Sequence, residues 1–125
     1  MALALENHVI LVTGGAKGIG AGIVELLAAE GAVPVIIGRN AGDNAVLART
    51  LEESGGQSLA ITAELTRTED CQRAVDIALE RFGQINGLVN NAGINDGISL
   101  EHGDTDQFLA SLRRNLVHYY DMARF

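Results

Sequence analysis

Short apolar runs alternate with stretches of helical periodicity along the chain. The runs at residues 8–12 (HVILV), 33–37 (VPVII), 58–63 (SLAITA) and 85–90 (INGLVN) are apolar at most positions, which predicts buried β-strands. Between these runs, apolar residues recur every three to four positions, which predicts helices. Strand and helix alternate four times. This order is typical of an α/β fold, in which helices cover both faces of a parallel sheet.

The predicted helices have recognisable ends. The first begins at Lys17 or Gly18 and the second covers residues 43–54, before two glycines. Thr66 and Glu69 have the spacing of a capping box at the start of the third. The fourth is expected to carry its apolar face on Phe108, Leu112, Leu116, Tyr119 and Ala123.

A glycine-rich turn, TGGAKGIG, joins the first strand to the first helix. Gly14, Gly18 and Gly20 give the spacing G-x-x-x-G-x-G. Glycines let the backbone bend sharply and approach a pyrophosphate, and the helix that follows offers unpaired N–H groups and a partial positive charge. Because the turn lies within a strand–helix–strand unit, it predicts a dinucleotide site. No Gly-Lys-Ser/Thr sequence is present, so it is not a Walker A loop.

The end of the second strand bears on the choice between NAD and NADP. An acid in this position would bind the ribose of NAD, but the sequence reads GRN and the next carboxylate is Asp43. Arg39 is suited to a 2′-phosphate, and the only lysine, Lys17, lies in the glycine turn. These two cations favour NADP, with NAD as the alternative. A role for Arg39 as an ordinary solvated loop residue stays open.

Composition limits the partners further. The net charge of −7 is spread along the 125 residues, which argues against a nucleic-acid surface. No apolar run approaches the ~20 residues that span a bilayer, and the N-terminus lacks the features of a secretory signal. Cys71 is the only cysteine, and His8, His102 and His118 show no metal-binding spacing. We expect a cytoplasmic protein that acts on a small molecule, without a metal, nucleic acid or membrane.

Three motifs together resemble the short-chain dehydrogenase/reductase family. They are TGxxxGxG, the NNAG sequence at residues 90–93, and Asn115 on the helix that follows. The resemblance covers the whole chain. It implies a Rossmann-like, doubly wound sheet and hydride transfer between a nicotinamide cofactor and a carbonyl or secondary alcohol. It also implies a homodimer or homotetramer, since members of the family commonly associate through the helix that begins here.

The resemblance assigns roles by position. Asn115 corresponds to the family's Asn that holds a water in a proton relay, although its amide would equally serve to satisfy backbone groups. Glu64 replaces the family's Asp beside the adenine, which is a mild departure. The implied cofactor-binding residues are Gly14, Lys17, Gly18, Ile19, Gly20, Arg39, Glu64, Leu65, Asn91, Ala92 and Gly93.

The stretch from residue 90 to residue 120 is also similar to sugar dehydrogenases of the L-fucose dehydrogenase type. By this resemblance, Asn95 and Asp96 would lie near the substrate, where their polar groups could bind sugar hydroxyls. An Asn-Asp-Gly sequence is equally typical of a plain turn, and both interpretations stay open.

The Ser and the Tyr-x-x-x-Lys that complete the family's catalytic tetrad do not occur in these 125 residues. We therefore expect residues 1–125 to be the N-terminal part of a single NAD(P)-binding domain, inactive in hydride transfer without the rest. The alternative is a non-catalytic nucleotide-binding or regulatory half-domain. In either case the predicted strand order is 3-2-1-4, with the fourth strand at an edge.

Overall fold

Four parallel strands form a single sheet in the computed structural model, which describes residues 4–94 and 96–125. The strands are β1 (Val9–Thr13), β2 (Val33–Gly38), β3 (Leu59–Thr62) and β4 (Gly87–Val89). Their order is β3-β2-β1-β4, which confirms the prediction. The order in which successive strands are added reverses between β1 and β4, so the carboxyl ends of these two parallel strands flank the crevice in which such folds bind ligands.

Helices connect the strands and continue beyond β4. The first two begin and end within two residues of the predicted positions. The helices are α1 (Gly18–Ala29), α2 (Ala41–Glu53), α3 (Thr68–Phe82), α4 (Thr105–Leu112) and α5 (His118–Arg124), with a π-helical turn (Arg113–Val117) between the last two.

The two faces of the sheet carry separate apolar cores. Successive residues of a strand point to opposite faces, so Val9 and Leu11 join one core whereas Ile10 and Val12 join the other. The first core is covered by α3 and α5, and the second by α1 and α2. Burial on both faces explains why the strands are apolar at nearly every position, and it confirms the predicted α/β fold.

The predicted capping box at Thr66 and Glu69 is wrong. α3 begins at Thr68, and its N-cap residue Arg67 makes no side-chain cap. The hydroxyl of Thr66 donates instead to Glu64 Oε1 at 3.0 Å. A capping box does occur at α4, where the side chains of Asp104 and Gln107 each accept a hydrogen bond from the other residue's backbone N–H.

The predicted apolar face of the last helix is also wrong in part. Phe108 and Leu116 are 55% and 57% exposed, whereas His118, Asp121 and Met122 are buried. The π-helical turn explains the difference from Leu116 onward, because its wider turn shifts the phase of the residues within and after it. A regular period of 3.6 residues cannot predict such a shift. The π-helical turn does not explain the exposure of Phe108, which precedes it.

Cys71 packs with no exposed surface in the core beneath α3. Burial raises the pKa of its thiol to about 11, because the thiolate loses its solvation. At pH 8 we expect an alkylating reagent to modify the native thiol at least about 100-fold more slowly than the urea-unfolded chain, because the thiolate fraction is smaller and the thiol is buried. The pKa of this thiol is higher in the folded chain than in the unfolded chain. Its contribution to the free energy of unfolding is therefore fully present below about pH 9 and declines as the pH rises toward 11. Equal alkylation rates in the two states would contradict this assignment.

Candidate cofactor site

The glycine turn between β1 and α1 has a backbone that only glycine accommodates well. Gly14 and Gly18 have φ angles of +65° and +54°, in the left-handed region. At Gly20, a Cβ atom would lie 2.1 Å from the carbonyl oxygen of Gly14. At Gly18 it would meet nothing within 4 Å. The turn is thus closed on its inner side and open on the side from which a phosphate would approach the start of α1.

Among the described residues, no side chain caps the N-terminus of α1. Lys17, the N-cap residue, is extended and makes no side-chain cap hydrogen bond. The first N–H groups of a 12-residue helix, with their partial positive charge, therefore face the open side of the turn. This arrangement suits the pyrophosphate of a dinucleotide.

Thr13 links the glycine turn to the segment that follows β4. Its Oγ1 accepts hydrogen bonds from the backbone N–H groups of Asn91 (3.0 Å) and Ala92 (3.1 Å). The side-chain amide of Asn91 in turn donates to the carbonyl of Gly14 at 3.2 Å. Sequence reasoning missed Thr13, although a threonine at the end of an apolar strand was a visible signal.

Thr13→Val should destabilise the protein by about 2–4 kcal/mol, because two N–H donors would lose their acceptor at a fully buried site. Thr13→Ser keeps the hydroxyl and should recover most of this loss. Thr62→Val is the matched control, since Thr62 ends the outer strand β3 and its side chain is exposed. Urea unfolding gives the free energy of unfolding of all three variants. Equal losses of stability in Thr13→Val and Thr62→Val would rule out the linking role of Thr13.

A cleft of about 800 Å³ opens at the carboxyl ends of the strands. This volume is in the range of cofactor sites. Ile19 and Gly20 do not line it, since Ile19 is 78% exposed beside the turn and Gly20 packs behind it. The predicted cofactor residues that do line it are Gly14, Lys17, Gly18, Arg39, Glu64, Leu65, Asn91, Ala92 and Gly93.

The end of the cleft beside β2 carries both cations and an acid. Arg39 is exposed, and within residues 4–94 and 96–125 no hydrogen bond or ion pair engages its guanidinium. Lys17 Nζ lies 3.0 Å from Asp43 Oδ2, so this lysine is already paired. The sequence predicts two cations and no acid at this position. The structure adds Asp43, and of the two predicted cations it leaves Arg39 available to a ligand.

Glu64 and Leu65 lie where β3 leads into α3. The backbone N–H of Glu64 donates to Asp70 Oδ2 at 2.8 Å, and its carboxylate accepts from Thr66. These bonds fix the bend that places Leu65 on the cleft wall. The glutamate therefore helps to fold its own turn in addition to lining the cleft.

Asn115 lies in the π-helical turn, which is a frequent feature of functional sites. Its side-chain oxygen accepts the N–H of Ile94 at 2.5 Å, and its amide donates to the carbonyl of Ser111 at 3.1 Å. A Cβ on Gly93 would lie 3.2 Å from the same oxygen. The predicted catalytic residue thus contacts the segment that lines the cleft, although it does not itself line it.

Of the two residues proposed to meet a substrate, Asn95 lies outside the described residues. Asp96 is half-buried, and its carboxylate already accepts hydrogen bonds from Arg114 and Ser111. The Arg114 hydrogen bond is the main reason that the pKa of Asp96 lies below its ordinary value.

His118 is a cleft residue that sequence reasoning did not assign. It is 1% exposed, and Nε2 lies 2.8 Å from the carbonyl oxygen of Arg114. A carbonyl only accepts, so the proton of the neutral ring belongs on Nε2. Burial lowers the pKa of His118, which favours the neutral form.

Neither a metal centre nor a membrane segment is evident in the described part of the chain. Residues 4–94 and 96–125 contain no group of three His, Cys, Asp or Glu placed to hold a metal ion. None of the helices formed by these residues is long and apolar enough to cross a bilayer.

The fold and the glycine-lined cleft define a dinucleotide-binding α/β protein, and comparison with known proteins gives its family. The short chain dehydrogenase family matches residues 8–125. The chain belongs to this family. It is 36% identical over 102 residues to the short-chain reductase protein NovJ of Streptomyces niveus, which covers 81% of the chain and 39% of that protein. It is also 36% identical over 93 residues to the sorbitol-6-phosphate 2-dehydrogenase of Klebsiella pneumoniae, covering 74% of the chain and 32% of that enzyme.

Solved structures of the family superpose on nearly the entire chain. The NADH-dependent reductase A1-R′ complexed with NAD is 35% identical, with a TM-score of 0.91 over 100% of this chain and 52% of that one. The actinorhodin polyketide ketoreductase with NADPH is 26% identical, with a TM-score of 0.88 over 94% of this chain and 45% of that one. The chain therefore spans about half the length of these structures, and less than half that of the two relatives above.

Proposed function

We propose that residues 1–125 form the N-terminal, cofactor-binding part of a single NADP(H)-dependent oxidoreductase domain. The observation that carries the proposal is the glycine turn, which is sterically closed at Gly20 and open at Gly18, at the start of a helix with no side-chain cap. Bound there, the cofactor would supply the hydride that is exchanged with a carbonyl or secondary alcohol. The chain's own residues would bind and orient it.

The preference for NADP over NAD rests on Arg39. Its guanidinium lines the cleft without a partner among the described residues, and it is able to form two parallel hydrogen bonds to a phosphate. Asp43 opposes this preference by adding negative charge, but its carboxylate is paired with Lys17, whose Nζ lies 3.0 Å from Oδ2. Ribose hydroxyls without a phosphate would gain little from an unpaired arginine, so NAD is the weaker candidate.

Glu64 and Leu65 would flank the adenine, and Asn91, Ala92 and Gly93 would pass beside the nicotinamide ribose. Asn115 would hold a water of the proton relay, as its position in the family implies. A sugar or polyol is the proposed substrate class, supported by the L-fucose dehydrogenase resemblance and by the name of the sorbitol-6-phosphate relative. Asn95 and Asp96 remain candidate substrate contacts, and the complete protein is expected to be a homodimer or homotetramer.

Titration of the chain with NADPH and NADH, followed by cofactor fluorescence, tests the cofactor assignment. We expect NADPH to bind roughly tenfold or more tightly than NADH, which corresponds to one charge-assisted contact of ~1.5 kcal/mol. Tighter binding of NADH would reverse the preference, and failure of both cofactors to bind would refute the proposed function.

A spectrophotometric assay of NADP reduction with L-fucose and related sugars tests the catalytic assignment. Turnover is expected from the full-length protein and not from these 125 residues, which lack a Tyr-x-x-x-Lys sequence. Oxidation of a sugar by the 125-residue chain alone would contradict this division.

A further inference from the structure

Asp96 joins the loop after β4 to the helix that follows it. Its Oδ2 accepts hydrogen bonds from Arg114 Nε at 2.8 Å, and Nη2 of the same guanidinium lies 2.7 Å away. Its Oδ1 accepts the hydroxyl of Ser111 at 3.0 Å. The side chains of Asp96 and Arg114 are 18% and 35% exposed, so solvent screens this pair less than a fully exposed one.

A second contact joins this helix to the loop at Ile94, two residues before Asp96. Asn115 Oδ1 accepts the N–H of Ile94, and Asn115 Nδ2 donates to the carbonyl of Ser111. Ser111 therefore contacts both Asp96 and Asn115. The loop is held on each side of residue 95, by an ion pair at Asp96 and by a side-chain amide at Asn115.

These two attachments bear directly on the cleft. Ile94 lines the cleft wall together with the three residues before it. The backbone around an Asn in a π-helical turn lacks the regular i→i−4 hydrogen bonds of an α-helix. The helix alone therefore does not fix the orientation of the Asn side chain. The bonds to Ser111 and Ile94 are what orient the Asn115 amide. The hydroxyl of Ser111, which lies 3.5 Å from Asn115 Nδ2, donates in turn to Asp96 Oδ1.

We propose that Asp96 and Arg114 are a pair of positioning residues that hold the Ile94 amide against Asn115 and so shape the nicotinamide end of the cofactor cleft. This role differs from a substrate contact, because the carboxylate acts through Arg114 and Ser111. The claim about the nicotinamide end of the cleft rests on the proposed function. The claim that the pair holds the Ile94 amide does not depend on it.

Hydrogen exchange at the Ile94 amide, measured by NMR, tests the pair directly. Asp96→Asn and Arg114→Gln should each lower its protection about tenfold, because each removes the charge-assisted contact between the two side chains. The double variant should lose no more than either single variant, because the two residues act through each other. Asp96→Glu keeps the carboxylate and should recover part of the protection. Leu11 in β1 is the reference amide, and its protection should not change.

Glu101→Gln is the matched control, since it removes one carboxylate from the same loop at an 84% exposed side chain. NADPH affinity should fall about threefold to fivefold in Asp96→Asn and stay unchanged in Glu101→Gln. Unchanged Ile94 protection in Asp96→Asn, or additive losses in the double variant, would overturn the positioning role. If the wild-type chain binds neither NADPH nor NADH, the proposed function fails, while the exchange data still decide whether the pair holds Ile94.

Discussion

Gly20→Ala is expected to weaken dinucleotide binding strongly and to destabilise the fold. The added Cβ would lie 2.1 Å from the carbonyl oxygen of Gly14 and 2.6 Å from the side-chain nitrogen of Asn91. The carbonyl belongs to the turn and the Asn91 side chain is hydrogen-bonded to that same carbonyl, so the methyl group can be accommodated only if the turn moves. Overpacking of this kind costs about 1–3 kcal/mol or more in stability. Displacement of the turn should also weaken NADPH binding by roughly 100-fold, equivalent to ~3 kcal/mol.

Gly22→Ala is the matched control for this substitution. Gly22 lies in the same helix, two residues further on, and a Cβ there would meet nothing within 4 Å. Alanine has the higher helix propensity, so this variant should gain about 0.5–1 kcal/mol and bind NADPH normally. Urea unfolding and NADPH titration of the two variants separate steric exclusion from a general effect of alanine. Wild-type affinity in Gly20→Ala would disprove the steric account of the turn.

Arg39→Gln is expected to reduce NADPH affinity by about 10-fold to 100-fold, because charge-assisted hydrogen bonds contribute ~1.5–3 kcal/mol. The affinity for NADH should change little, since NADH lacks the 2′-phosphate. Glutamine keeps a polar side chain of moderate length, so the loss reports the charge and the paired donors of the guanidinium. The measurement is the ratio of the dissociation constants for NADPH and NADH, taken before and after the substitution.

Arg49→Gln controls for the general loss of positive charge near α2. Arg49 is an exposed residue of that helix and does not line the cleft. Its replacement should leave both dissociation constants unchanged. If Arg39→Gln left the NADPH affinity at the wild-type value, Arg39 would be a solvated loop residue and the preference for NADP would lose its main support.

The strands and the glycine turn were predictable because their signals are local. Val33 and the four residues that follow it form an almost continuous apolar run, and burial on both faces of β2 requires such a run. The glycine spacing places Gly14, Gly18 and Gly20 within seven residues of one another. These two signals determine where the cleft forms, and most of the residues predicted to bind the cofactor line it.

The interactions that sequence reasoning missed join residues that are distant in the chain. Thr13 meets Asn91 across 78 positions, and Lys17 meets Asp43 only because α1 and α2 begin at the same edge of the sheet. The π-helical turn around Asn115 is local, but it leaves no periodic signal because it interrupts the period. The sequence makes Asp96 a candidate for binding hydroxyls, and only the distance of 2.7 Å between its carboxylate and Arg114 supports the positioning role that we propose.

The central claim is that a dinucleotide binds across the glycine turn at the carboxyl ends of the strands. A titration of the ¹⁵N-labelled chain with NADPH, followed by amide NMR spectra, tests this claim most directly. We predict saturable shifts of the amide resonances of Gly18, Gly20 and Ala92. The amide of Gly83 should not shift, because Gly83 follows α3 at the amino-terminal ends of the strands, away from the cleft. Unshifted glycine-turn amides at saturating NADPH, or shifts centred on Gly83, would contradict the account.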